Sequence, residues 1–170
     1  MNTSEKNVSL LNNATIQLGN IRVILTTLWS KVDVAKEWAM KKWMADFRLI
    51  KSGDEKLSIE AYNNLHENSL NFLQQELAET SHLKTIVVTH HVPTFLNYSK
   101  KYKDSELNSG FATELFDLIE PSNINYWIYG HSNEAVPDFF IGNTVLTTNQ
   151  LGYVSHQEHL KFDRSKLIVI

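Results

Sequence analysis

The period of apolar and polar positions changes several times along the chain, and each change marks an element. Ala14 to Leu18 and Ile21 to Thr27 are β-rich runs separated by Gly19-Asn20, a two-residue connection of the kind that closes a hairpin. From Val34 to Ile50 the spacing becomes helical, with Trp38, Met40, Trp43, Met44 and Phe47 recurring mainly at three and four. That spacing predicts a helix with an aromatic face on a core; a ligand-binding lid is the alternative. Lys51-Ser52-Gly53-Asp54 breaks the pattern, with Gly53-Asp54 as a turn. Ser58 then fits an N-cap for a helix running to about Glu79, with Tyr62, Leu65, Leu70, Leu73 and Leu77 on one side. His66 lies within it as a packing or surface histidine.

Thr85-Ile86-Val87-Val88 is a short, continuous β-branched run, the signature of a strand buried on both faces, and Pro93 prevents its continuation. His90 and His91 sit where it stops. A polar, lysine-rich loop follows, and Phe111 to Glu120 reads as a helix stopped by Pro121. Tyr126 to Tyr129 is a second strand, ending in Gly130-His131-Ser132-Asn133. Strand, helix, strand from Thr85 to Tyr129 is a βαβ crossover, which makes the two strands parallel and brings both histidine-bearing ends to one edge of the sheet. Ligand sites in open α/β sheets lie at such carboxyl ends. Beyond it, Asp138 to Ile141, Thr144 to Thr148, His159 to Phe162 and Leu167 to Ile170 read as short strands, with a hairpin turn at Gly142-Asn143. The fold class is therefore α/β, and 170 residues suit a single domain over the whole chain.

Composition narrows the chemistry. A net charge of -3 gives no reason to expect a nucleic-acid partner, and Lys100-Lys101-Tyr102-Lys103 is short enough to read as a solvated loop. With no cysteine, thiolate sites and disulfides are excluded, so histidine, carboxylate and amide are the available ligands. The first residues lack the pattern of a signal peptide, and no apolar run approaches the roughly 20 residues of a membrane span. A cytoplasmic protein is the expectation. Trp29 and Trp127 read as core residues beside strand ends, and His156 and His159 as surface residues.

Val87-Val88-Thr89-His90-His91-Val92-Pro93, followed by Tyr129-Gly130-His131-Ser132-Asn133, resembles the last two motifs of the calcineurin-like metallophosphoesterases. Thr26-Thr27-Leu28-Trp29, Leu65-His66-Glu67-Asn68-Ser69, Ile141-Gly142-Asn143-Thr144 and Asn149-Gln150-Leu151-Gly152-Tyr153 add to the likeness, which spans about residues 10 to 155. The resemblance implies a double β-sheet sandwich flanked by helices, with divalent metal ions (manganese, iron or zinc) at the strand ends and a phosphate ester as substrate. It places His90 and His131 on one metal with Asn133 beside them, and His91 facing either the substrate phosphate, as a catalytic residue, or the packing between loops. Two ions about 3.5–4 Å apart would activate water and clamp the phosphoryl group.

Two departures qualify what the resemblance implies. Asn133 stands where the family carries a further histidine. The early motifs of the family, an Asp-x-His, a Gly-Asp bearing the bridging aspartate and an Asn-His-Asp/Glu, are absent; Gly53-Asp54 is a Gly-Asp, but it follows the hairpin, in the wrong order. The expectation is thus an incomplete sandwich, the C-terminal portion of a phosphoesterase, which pairs with a second copy or a complementing N-terminal polypeptide. The alternative from another class is a non-catalytic protein-interaction module on the same scaffold.

Overall fold

Gly19-Asn20 closes the first hairpin, β1 (Ala14–Leu18) against β2 (Ile21–Thr26), in the register Leu18 opposite Ile21. The computed structural model describes residues 8–98 and 105–170, so the lysine cluster at 100–103 and Asp104 lie outside the described residues. β2 alternates in burial, with Arg22, Ile24 and Thr26 turned inward. Onto that face packs the long helix α3 (Ile59–Ala78), where Leu73 meets Ile24 in the main core and the Arg22 guanidinium donates to the Glu76 carbonyl at 3.1 Å. The Ser58 hydroxyl caps α3 by accepting from the Ala61 amide at 3.0 Å.

The β-branched run becomes β5 (Lys84–Thr89), parallel to β2 on one side and to β6 (Tyr126–Ile128) on the other. β6 continues parallel to β8 (Thr144–Thr147), which pairs antiparallel with β7 (Phe139–Ile141) across Gly142-Asn143. The result is one six-stranded mixed sheet in the order β1-β2-β5-β6-β8-β7. Its core holds Ile24, Leu73, Val87, Trp127 and Leu146, and the βαβ crossover expected from Thr85 to Tyr129 is present. Among the described residues the other sheet is the two-stranded hairpin β3 (Lys51–Ser52) and β4 (Glu55–Lys56), turning at Gly53-Asp54.

Four expectations are corrected. The helix over 34–50 is divided: a 3-10 turn leads into α1 (Glu37–Trp43), Met44 is extended at φ -79° and ψ 131°, and α2 (Asp46–Leu49) starts afresh. Met40, Met44 and Phe47 face a second small core with Val32, Leu57, Ile59 and Tyr62. Its aromatic face is not the packed one, because Trp38 and Trp43 are 70% and 61% exposed, with the Lys42 ammonium over both rings. The helix expected over 111–120 shrinks to α4 (Phe116–Ile119), since the backbone of 111–113 bonds instead to Val92 and Leu115 donates to Pro93. Finally, 158–161 form a 3-10 turn and 167–170 no strand. Side chains hold this C-terminal segment, through Asn149 with Asp163 and Lys166 with Asp138, where a strand would need a backbone ladder.

Candidate metal centre

His90 and His91 follow β5 directly, and His131 follows β6 by Tyr129-Gly130. The parallel ladder outlasts the strands by one more bond: the Gly130 amide donates to the His90 carbonyl at 3.1 Å. On the other side of β5, the His91 amide donates to the Thr27 carbonyl at 3.1 Å. These bonds fix the three histidines at one edge, as the parallel pairing requires. Their ring centroids lie 4.6 Å apart for His90 and His131, and 4.2 Å for His91 and His131. One ligand nitrogen from each falls within 4.8 Å of those of the other two.

His131 is delivered by strained backbone. Its φ is +69°, and the Ser132 amide donates across it to the Gly130 carbonyl at 2.9 Å, which makes a tight three-residue turn. A positive-φ turn of this kind is rare and costs on the order of 1–2 kcal/mol for a non-glycine residue. Asn133 is also left-handed, at +58°. Gln150 holds this loop with a single amide. Its oxygen accepts from the Asn133 amide at 2.7 Å, while its nitrogen donates to the Ser132 and Thr148 hydroxyls, both at 2.9 Å. Gly152 presses on the same loop, for a Cβ there would meet the Asn133 carbonyl oxygen at 2.2 Å, and its φ is +61°. No other residue fits that position without moving Asn133. Phe111 stacks on the His131 ring at 4.7 Å.

His91 lies beneath the cluster at 1% exposure, beside Trp29 and Tyr62. Its Nδ1 is 3.0 Å from the Ser30 hydroxyl, which is 3.3 Å from the Tyr62 hydroxyl, which donates to the Gly110 carbonyl at 2.9 Å. A carbonyl can only accept, so one proton arrangement satisfies all three contacts. Tyr62 donates to Gly110, Ser30 donates to Tyr62, and His91 Nδ1–H donates to Ser30. That arrangement leaves His91 Nε2 with its lone pair.

Electrostatics agree with neutral rings. Burial, then repulsion from His131, His90 and His66, pushes the His91 imidazole down to about 2. His131 is pushed down to about 4 by burial and by His90, with the Gly110 backbone pulling slightly back. His90, more exposed, is lowered by burial and partly restored by Asp46. His131 Nε2 is buried and has no hydrogen-bond partner. An orphaned imidazole nitrogen beside two other neutral imidazoles fits a borderline divalent cation such as zinc, manganese or iron.

Beside the cluster opens a cleft of about 550 Å³, lined among others by His90, His131, Asn133, Gln150, Trp43, Tyr153 and Asp46. Asn133, expected beside the metal, therefore stands on the cleft wall. His66 packs in the interior with its Nδ1 on the Trp29 carbonyl. His156 is exposed against Tyr153, and His159 is half-buried; neither joins the cluster. Asp138 is occupied by Thr147 and Lys166. Sequence reasoning missed Asp46, Ser30 and Tyr62, which come from the segment between β2 and β5 and carry no motif of their own.

No family model matches the chain, and no solved structure does. A curated relative exists. It is an uncharacterized protein of Acanthamoeba polyphaga mimivirus, to which this chain is similar at 31% identity over 164 residues, covering 90% of this chain and 57% of the relative. The chain thus spans a little over half the length of that relative. Among the described residues no helix is long and apolar enough to cross a membrane.

Proposed function

We propose that this chain is a metal-dependent phosphoesterase domain of the calcineurin-like type, hydrolysing a phosphomonoester or phosphodiester. The supporting observation is the convergence of three neutral imidazoles within 4.8 Å, one of them with a buried, unpartnered nitrogen, at the rim of a cleft. Three protein ligands with one open position are the usual arrangement of a hydrolytic zinc site. His90 and His131 hold the ion, and His91 serves as the third ligand from below, its tautomer fixed by Ser30 and Tyr62. Burial of His91 argues against its touching substrate. A divalent ion bound there would supply an activated water and polarise a phosphoryl oxygen.

Asn133, on the cleft wall, orients the substrate's polar groups, on a loop that Gln150 holds in place. Among the described residues no carboxylate belongs to the imidazole group, and a second ion with its bridging aspartate would come from a partner polypeptide or a second copy. That composition and the exposed Trp38, Trp43 and Leu49 favour, as a second reading, a non-catalytic interaction module on the same scaffold. An assay on a generic aryl phosphate with manganese or zinc separates them. Metal-dependent turnover that disappears in His131→Ala is expected; a folded chain that takes up no metal and shows no turnover would overturn this reading and leave the interaction module.

A further inference from the structure

A dication on three neutral imidazoles brings an uncompensated double positive charge into a half-closed cleft. Metal centres of this kind are ordinarily balanced and oriented by a nearby carboxylate. Among the described residues Asp46 is the acidic side chain that lines this cleft. It is half-buried, makes no ion pair with a described lysine or arginine, and lies near enough to His90 and Tyr62 for its charge to act on both. Its oxygens lie outside the group of ligand atoms within 4.8 Å of one another, so it is not one of the three ligands.

The backbone around Asp46 is anchored for this. Met44 and Phe47, each 4% exposed, pin the corner on both sides of it. The Met44 sulfur sits 2.3 Å from where a Cβ on Gly110 would be, so the Met44 side chain packs directly against the Gly110 backbone and would have to shift for any larger residue there. The Gly110 carbonyl also accepts from the Tyr62 hydroxyl, and its backbone acts electrostatically on the His131 imidazole. One peptide therefore ties the Asp46 corner to the imidazole cluster.

We infer that Asp46 is a positioning carboxylate of the metal centre, accepting a hydrogen bond from water held at the His90–His131 rim and balancing the charge of the ion. The inference rests on the metal-site reading above. It is tested by titrating cobalt(II) into the full chain in competition with a chelator, following the visible absorption of the bound ion. Asp46→Asn is expected to weaken cobalt binding about 10- to 100-fold, the range for groups that orient ligands. The spectrum of the bound ion should keep its four-coordinate intensity, and Asp46→Glu should recover part of the affinity. An Asp46→Asn chain that binds like the wild type would overturn the inference and leave the imidazole site standing. A wild-type chain that binds no cobalt would overturn the metal-site reading itself, and this inference with it.

Discussion

Acidification from pH 7 towards pH 4 is expected to remove a few kcal/mol of folding stability from the metal-free protein. His91 and His131 are held in the fold well below an ordinary imidazole, at about 2 and about 4, first by burial and then by neighbouring imidazoles, His131 and His90 acting on His91 and His90 acting on His131. In the unfolded chain both return to about 6.5. Above that value the two states bind the same protons and stability is flat. As pH falls through 6.5 the unfolded state takes up protons that the fold refuses, so stability drops by about 1.4 kcal/mol per pH unit for each group. The loss from His131 levels off near pH 4, and that from His91 continues below it. Asp46, whose carboxyl is raised by burial, works in the opposite direction, but only as pH nears the carboxylate range. Against a typical total of about 5–15 kcal/mol, two such groups can unfold the domain. Thermal melts between pH 7 and 4 measure this. A steep fall in midpoint below about pH 6.5, moderated by a saturating divalent ion, is expected; a flat profile would mean the rings are not buried neutral.

Trp127→Ala is expected to cost about 3–5 kcal/mol, the range for a large aromatic removed from a packed interior. Trp127 is fully buried in the middle of β6, in contact with the core of Val87 and Leu146. The loss extends to the site. Its indole N–H donates to the Thr89 hydroxyl at 3.0 Å, and that hydroxyl donates to the His91 carbonyl at 2.8 Å. Removing the indole opens a cavity and takes away one partner of the Thr89 hydroxyl that holds the His91 peptide. Trp127→Phe keeps most of the volume and gives up the hydrogen bond, at a cost of about 1 kcal/mol. Urea unfolding of the two variants gives the comparison. A loss below about 1 kcal/mol for Trp127→Ala would contradict the packing described.

What the chain wrote locally, it made legible. Gly19-Asn20, Gly53-Asp54 and Gly142-Asn143 are turn chemistry, and Ser58 is capping chemistry; each acts within a few residues of itself. The β-branched run at 85–88 needs burial on both faces, which placed β5 between two parallel strands and brought the histidines together. Long-range contacts were silent. Ser30 meets His91 across 61 positions, and Tyr62 meets Gly110 across 48. Nothing in the spacing of either residue announces its partner. The break at Met44 was equally hidden, because no helix-stopping residue marks it and the Met44 side chain packs on Gly110, 66 positions away. Periodicity also misjudged Trp38 and Trp43: tryptophan at helical spacing reads as core, whereas Ala39, Met40 and Phe47 take that face. The apolar residues after 157 suggested strands, but side-chain tethers fix that segment.

Equilibrium binding of zinc to the purified chain, by calorimetry beside His131→Ala and His90→Ala, tests the imidazole centre most directly. Saturable binding of one ion is expected for the wild type, with affinity lowered more than about 100-fold in either variant, beyond the loss from a supporting group. Binding that is absent in the wild type, or unchanged in both variants, would contradict it.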